Sequence, residues 1–275
     1  MTATPPPMKP LADWPLAARR GITGVMTDID DTLTTDGAIT ADALQALAGL
    51  RAAGLPVIAI TGRSTGWSEP FAMAWPVDAI VAENGAVMLR RAEPPSQMVS
   101  KTYLQDAATR SANFARMQHI AARVLREVAG ARLAEDSWGR ETDMAVDHSE
   151  FHALSPEAIA QVVAIMRAEG MLATVSSIHV NGWFGEHNKL EGARWALRTL
   201  YGRDLDAELD CWVYVGDSSN DQLMFQTLPN AVGVANVRRF ADTLQYLPRY
   251  VTTGERGAGF AEVARAVLAA RSMRP

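Results

Sequence analysis

Apolar residues in this chain form short unbroken runs that alternate with stretches of helical period. Gly24-Val-Met-Thr-Asp-Ile29 reads as a buried strand. After a loop, Thr40 offers an N-cap, and Leu44, Leu47 and Leu50 recur at helical spacing until Gly54 ends the helix. Pro56-Val-Ile-Ala-Ile-Thr61 and Asp78-Ala-Ile-Val-Ala82 are further apolar runs without alternation, as expected of a sheet covered on both faces. A helix is expected after Ser64. Strand, helix, strand, helix, strand predicts a parallel sheet with right-handed crossovers.

The pattern then changes. Glu93-Pro-Pro-Ser-Gln97 is a turn-rich break. A long helix is expected over 109–129, strands over 140–147 and 172–181, and a helix over 156–169 between them. The first pattern resumes with a helix over 189–201, the strands Trp212–Gly216 and Ala231–Ala235, and a last helix over 259–270. The pattern predicts an α/β fold: a Rossmann-like, doubly wound parallel-sheet core over 16–91 and 188–275, with an inserted α+β domain over 92–187. Residues 1–15, rich in proline, are expected to form a loose leader.

Composition narrows the function. The chain has 275 residues, 48% of them hydrophobic, enough for one large core or two modest ones. A net charge of −5 argues against a general nucleic-acid binder. Cys211 is the only cysteine, so no intramolecular disulfide can form, which fits a reducing compartment. No apolar run has signal-peptide or membrane-span length, and a cytoplasmic protein with no membrane partner is expected.

Ligands of open parallel sheets bind beyond the carboxyl ends of the strands. Three strands end in polar residues here: Asp28-Ile-Asp30-Asp31-Thr32, Thr61-Gly62-Arg63, and Gly216-Asp217-Ser218-Ser219-Asn220-Asp221. Five carboxylates would converge on one edge, and a bound cation resolves their repulsion. Oxygen-only ligands point to Mg2+ rather than zinc. An ionised carboxylate there can attack phosphorus and form an acyl phosphate. A second carboxyl two residues on, facing the same side of an extended stretch, can protonate the leaving oxygen and then activate water. Lys189, at a helix start with Asn188 as a possible cap, could neutralise the transferring group or be a solvated surface lysine, the reading that the residues alone favour.

Together these residues resemble the haloacid dehalogenase superfamily of phosphohydrolases. Asp28-Ile29-Asp30-Asp31-Thr32, Thr61, Lys189 and Gly216–Asp221 match its four motifs in order, over a core of about 22–91 and 188–270. Glu83-Asn84-Gly85-Ala86 is similar to a segment of the subgroup, subfamily IIB, with a large α/β cap between the second and third motifs. The resemblance implies that Asp28 is the nucleophile and a metal ligand. Asp30 is the acid/base and binds the metal through its carbonyl, and Asp217 is the third protein ligand. Thr61 and Asn220 hold phosphate oxygens, Asp221 supports the lysine or the metal waters, and Gly62, Arg63 and Asn84 count with the substrate-binding residues. Asp31, where many relatives have glycine, and Asn188-Lys189-Leu190, where many have Lys-Gly, depart from the pattern.

The subgroup's cap chooses the substrate, a small phosphorylated metabolite, and this chain is similar to the sugar-phosphate phosphatases of the subgroup, including sucrose-phosphate, mannosyl-3-phosphoglycerate and Cof-like members. In Ser177-Ile-His179-Val-Asn181, alternation puts Ser177, His179 and Asn181 on one face, where they could bond sugar hydroxyls or form an ordinary solvated sheet face. Arg140, Glu141 and Asp143 are further candidates, and Trp183 and Phe184 read as hinge packing. Hinges are expected near Arg91–Pro95 and Gly185–Asn188. A phosphotransferase or mutase on the same core, and a non-catalytic ligand-binding relative, are the alternatives; the choice between monomer and homodimer stays open.

Overall fold

In the computed structural model, which describes residues 7–92 and 98–272, the unbroken apolar runs become the centre of a nine-stranded sheet. The strands are β1 (Lys9–Pro10), β2 (Gly24–Thr27), β3 (Thr34–Thr35), β4 (Ala38–Ile39), β5 (Val57–Ile60), β6 (Ala79–Ala82), β7 (Val87–Arg91), β8 (Val99–Tyr103), β9 (Arg132–Leu133), β10 (Asp143–Asp147), β11 (Leu172–Val175), β12 (His179–Trp183), β13 (Trp212–Gly216), β14 (Ala231–Gly233) and β15 (Tyr250–Val251). The helices are α1 (Leu16–Gly21), α2 (Ala41–Ala52), α3 (Thr65–Ala74), α4 (Ala107–Glu127), α5 (Pro156–Ala168), α6 (Lys189–Tyr201), α7 (Gln222–Thr227) and α8 (Arg256–Ser272). Thr40 and Ser64 cap α2 and α3 through side-chain oxygens that accept from Ala43 N and Trp67 N.

The large sheet runs β1-β15-β14-β13-β2-β5-β6-β7-β8, parallel except for the antiparallel β6–β7 and β7–β8 pairs. Its strands lack alternation because each face has its own helical layer. Val25, Val57, Ala59, Val213 and Val215 pack with Leu47 and Leu50 of α2 and Val263 and Val267 of α8. Met26, Ile58, Ile60, Trp212 and Tyr214 pack on the other side with Leu190, Ala193 and Leu197 of α6. β2 lies between β13 and β5, at the point where strand order reverses, so its carboxyl end opens on the crevice where such sheets bind ligands.

The insert forms a four-stranded antiparallel sheet, β11-β12-β10-β9, backed by α4 and α5 around Met117, Val124, Val146, Val162 and Val180. Three expectations are revised. The strand expected over 172–181 is a hairpin: β11 and β12 pair antiparallel, with Thr174 opposite Asn181, so Ser177 lies in the turn and not on the strand face. Val99–Tyr103 joins the core sheet beside β7, so that sheet takes in residues assigned to the insert. Residues 7–15 are packed rather than loose. Lys9–Pro10 pair with Tyr250–Val251, and Trp14 is buried and donates to Asn230 Oδ1 at 3.0 Å, because a proline-bearing strand is tolerated at a sheet edge. The break at 93–97, with the hinge residues expected at 93–95, and the first six residues lie outside the described residues. Among the described residues no helix is long and apolar enough to cross a membrane.

Candidate active site

Asp28 follows β2, and its backbone N–H is tied to Val215 O at 2.8 Å, which fixes it against β13. Lys189 opens α6. Asn188 caps that helix by accepting from Leu190 N and Glu191 N, as its position implied. Gly85, at φ +111, lets α6 come close: a Cβ there would lie 2.4 Å from Asn188 O and 3.2 Å from Gly192 Cα. This approach delivers the buried Lys189 ammonium to Asp28 Oδ1 at 2.6 Å and Asp221 Oδ1 at 2.7 Å.

Asp221 spends both oxygens. Oδ1 accepts from Lys189 and from the Tyr214 hydroxyl, and Oδ2 accepts from the N–H groups of Asp217 at 2.9 Å and Ser218 at 3.1 Å. A Cβ on Gly216 would sit 2.6 Å from Asp221 Oδ2, so the turn after β13 needs glycine there. Asp217 is fully buried; its Oδ2 accepts from Asn236 Nδ2 at 3.1 Å, while Oδ1 has no hydrogen-bond partner among the described residues.

Carboxylate oxygens of Asp28, Asp217 and Asp221 come within 4.8 Å of one another. Burial pushes the Asp28 carboxyl up to about 7 against the pull of Lys189, and Asp221 and Asp30 add to the push. Burial, with Asp28 and Asp221 beside it, drives Asp217 well above the usual carboxylate range. Burial alone would lower the Lys189 ammonium, but Asp221 and Asp28 outweigh it and hold it above the ordinary lysine value. One ammonium does not neutralise three buried carboxylates. A divalent cation at Asp28 and the unpartnered Asp217 Oδ1 fits this charge and donor set, and hard oxygen donors suit Mg2+. Asp221, which also comes within reach of such a cation, has both oxygens engaged in hydrogen bonds and anchors Lys189.

Asp30 is placed otherwise. Its two oxygens accept from Arg63 Nε at 2.8 and 3.0 Å, and the Arg63 guanidinium continues to Glu150 of the insert at 2.6 Å. Glu150 in turn bonds His179 Nε2 at 2.9 Å. Core and insert thus meet through a fork–fork ion-pair chain that begins on Asp30. Thr61 is buried at the end of β5 and its Oγ1 accepts from Arg63 N at 3.0 Å. Asn220 is half-buried and accepts from Ser218 Oγ at 3.0 Å. Asn84, at φ +55, sends Nδ2 toward Asp143 at 3.4 Å, and its Oδ1, like that of Asn181, has no hydrogen-bond partner among the described residues; both oxygens lie 3.3 Å from where a Gly62 Cβ would be.

Of the residues expected to select the substrate, His179 and Asn181 are buried and already engaged. Asn181 donates to Gly62 O at 3.2 Å and Asp143 at 3.3 Å, so it fastens the insert to the core. Ser177 places its hydroxyl on Asp31. Arg140 lies between Asp136 and Asp143 and donates to Gly62 O at 3.0 Å. Burial pushes Asp143 up to about 7 despite Arg140, with Glu83 adding to the push.

The sequence reading missed Glu150, Asn236, Tyr214 and Arg256. It also missed a hairpin between β3 and β4, whose turn Asp36–Gly37 has φ +50 and +77. Asp-Gly is a strong signal for a turn with both central residues left-handed, so this feature was findable. Arg256 is the first residue of α8, three residues before the start that periodicity suggested.

The haloacid dehalogenase-like hydrolase family model matches residues 25–152. No curated protein matches the chain. Solved structures share the fold. Thermoplasma acidophilum 0175 has a TM-score of 0.68 at 18% identity, covering 90% of this chain and 98% of that one. The sucrose-phosphatase of Synechocystis sp. PCC6803 has 0.63 at 16%, covering 91% and 98%. A sugar phosphatase described as subclass IIB of the haloacid dehalogenases has 0.57 at 14%, covering 89% and 96%. An open α/β sheet with acidic residues at its switch point and an insert over them defines the class. Residues 25–152 of this chain match the haloacid dehalogenase-like hydrolases, and the whole chain shares the fold of these solved structures.

Proposed function

We propose that this hydrolase is a Mg2+-dependent phosphatase of a small phosphorylated metabolite, a sugar phosphate, acting through an aspartyl-phosphate intermediate. The observation that carries the reading is the buried Asp28, paired with Lys189 and facing Asp217, whose Oδ1 is unspent. Asp28 attacks phosphorus, and the phosphoryl group passes from the ester oxygen to its carboxylate. Asp30 gives a proton to the departing oxygen, then takes one from the water that cleaves the aspartyl phosphate, which frees inorganic phosphate and restores Asp28. To do this Asp30 releases one of the two oxygens that Arg63 holds. Lys189 neutralises charge on the transferring group, and Asp221 keeps it in place. Thr61 and Asn220 receive phosphate oxygens. Mg2+, held by Asp28, Asp217 and the Asp30 carbonyl, would supply charge neutralisation and orientation. Sugar as the leaving group is supported by the fold shared with a sucrose-phosphatase solved with sucrose and phosphate.

The test is phosphate release from a panel of phosphorylated metabolites with Mg2+, with acid quenching to trap phosphate on the protein. Asp28→Asn keeps the shape and removes the attacking charge. It should lower turnover by on the order of a thousandfold or more and abolish trapped phosphate. A chelator should abolish turnover and lower the unfolding temperature, since Mg2+ binding stabilises the folded state. An active Asp28→Asn protein, or a chelated protein of undiminished activity, would overturn the reading.

A further inference from the structure

A cavity of about 310 Å³ opens from Asp30 and runs between the core and the insert. It is at the small end of ligand cavities, which span about 300–1,000 Å³. The core side is made by the Asp36–Gly37 turn, Asp31 and Arg256, and the insert side by Ser149, Glu150 and Phe151. His179 and Asn181 are not among the residues that line it. Because Asp30 faces the leaving oxygen under the phosphatase reading, this cavity receives the leaving group.

Its charges are already arranged. Arg63 lies between Asp30 and Glu150 at 2.7 and 2.6 Å, and Arg256 lies between Asp31 and Asp36 at 3.0 and 2.9 Å. No third cation lines the cavity among the described residues. Each guanidinium is thus ion-paired with two carboxylates, and the walls carry four acids against two bases. A leaving group with its own anionic charge would meet carboxylates and no unpaired cation, which is costly. Hydroxyls meet the reverse: each O–H can donate to a carboxylate that is fixed in place. Phe151, 60% exposed, offers an apolar face at the same wall, suited to the C–H face of a sugar ring.

The backbone supports a built wall rather than an incidental gap. Asp31, Asp36 and Arg256 are all non-glycine residues in the left-handed region, at φ +53, +50 and +53, and all three line the cavity. Such conformations cost free energy and persist where the surroundings hold them. Here the surroundings are the Arg256 ion pairs and the hydrogen bond from Arg256 N to Asn236 Oδ1 at 2.9 Å.

We infer that the enzyme selects phosphate esters of neutral monosaccharides and rejects those whose sugar carries a second anionic group, through a cavity shared by Asp36 and Arg256 of the core and Glu150 and Phe151 of the insert. The inference rests on the phosphatase reading above and assigns selection to core and insert jointly.

The test compares kcat/KM with Mg2+ for matched esters: glucose 1-phosphate against glucuronic acid 1-phosphate, and glucose 6-phosphate against 6-phosphogluconate. Acetyl phosphate, with a leaving group too small to fill the cavity, is the reference. At least one neutral ester should exceed its charged counterpart about tenfold or more. Asp36→Asn, at an exposed position and with a residue that tolerates the left-handed turn, should narrow that gap several-fold. Phe151→Ala should lower the ratio of neutral sugar ester to acetyl phosphate about tenfold, and Phe151→Tyr should restore it. Hydrolysis of acetyl phosphate with no preference in either matched pair would overturn the inference and leave the phosphatase reading standing. A preference unmoved by Asp36→Asn and Phe151→Ala would also overturn it, because other residues would then be the selectors. Absence of phosphate release from every sugar ester and from acetyl phosphate would remove both.

Discussion

His187 shows how one side chain can set the stability of a joint. It lies just before α6, where the chain returns from the insert, and it is 4% exposed. Its ring stacks on Trp183 at 5.6 Å, and its Nε2 has no partner among the described residues. Burial lowers its pKa from 6.5 to about 4. In the unfolded chain the imidazole takes up a proton near pH 6.5, and in the folded protein only near pH 4. Between those values the unfolded state binds more protons, so stability rises with pH there. His187 therefore contributes stability that is full above pH 6.5 and lost as pH falls toward 4, on the order of 3 kcal/mol. His187→Phe keeps the stacking ring and removes the titration. Urea unfolding at pH 7 and pH 4.5 should show a smaller acid loss in this variant than in the wild type. Equal losses in the two proteins would show that His187 is not the group responsible.

At the scale of elements, the short turn after β6 joins the two layers. Glu83 adopts φ +50 and is completely buried. One oxygen accepts from Thr65 N at 2.9 Å and Thr65 Oγ1 at 2.7 Å, at the start of α3. The other accepts from Thr142 N and Thr142 Oγ1, both at 2.5 Å, just before β10 of the insert. A buried carboxylate is tolerable only when its lone pairs are used, and these are. Glu83→Gln would turn an NH2 group toward donors at one end. The expected loss is about 2–3 kcal/mol in urea unfolding, with weaker seating of the insert. Calorimetry should show the lower midpoint, and an unchanged midpoint would mean that the linkage carries little. Asn84, next in sequence and expected to bind substrate, sends its amide toward Asp143, and its oxygen, without a hydrogen-bond partner among the described residues, faces Gly62.

For the whole molecule, the chemistry is enclosed. Asp28, Lys189 and Asp217 are 4%, 2% and 0% exposed, so under the phosphatase reading substrate entry would require the insert to move. The contact that must part includes a backbone-to-backbone approach: a Cβ on Gly139 of the insert would lie 2.8 Å from Gly66 Cα of α3. Gly139 is not in the left-handed region, so alanine there strains nothing within its own turn. Gly139→Ala should hold the insert off the core. A larger radius of gyration in solution scattering and about a tenfold lower kcat/KM for a substrate that fills the cavity are expected, because closure excludes water and completes the site. Wild-type scattering and activity would show that this contact does not limit closure.

Local pattern was enough to place most of the core strands and helices, and contiguous motifs were enough to place Asp28, Asp30 and Asp217 at the strand ends. Both are short-range properties: strand and helix periods repeat within a few residues, and each motif lies in one turn. The cap at Asn188 placed the helix start at Lys189, but the residues alone read more readily as a surface lysine, and only the resemblance singled it out. The wall of the cavity beside Asp30 was not legible. Arg63 reaches Asp30 across 33 positions and Glu150 across 87, and Arg256 reaches Asp36 across 220. Alternation in β12 correctly paired His179 with Asn181 but gave no information about which side the core would occupy, and the core occupied theirs. Sequence alone thus determined the sheet and the carboxylates at its edge. Tertiary structure decided which carboxylate stays free, which is consumed by Lys189 or Arg63, and which residues line the cavity beside Asp30, because those outcomes depend on how two sheets meet.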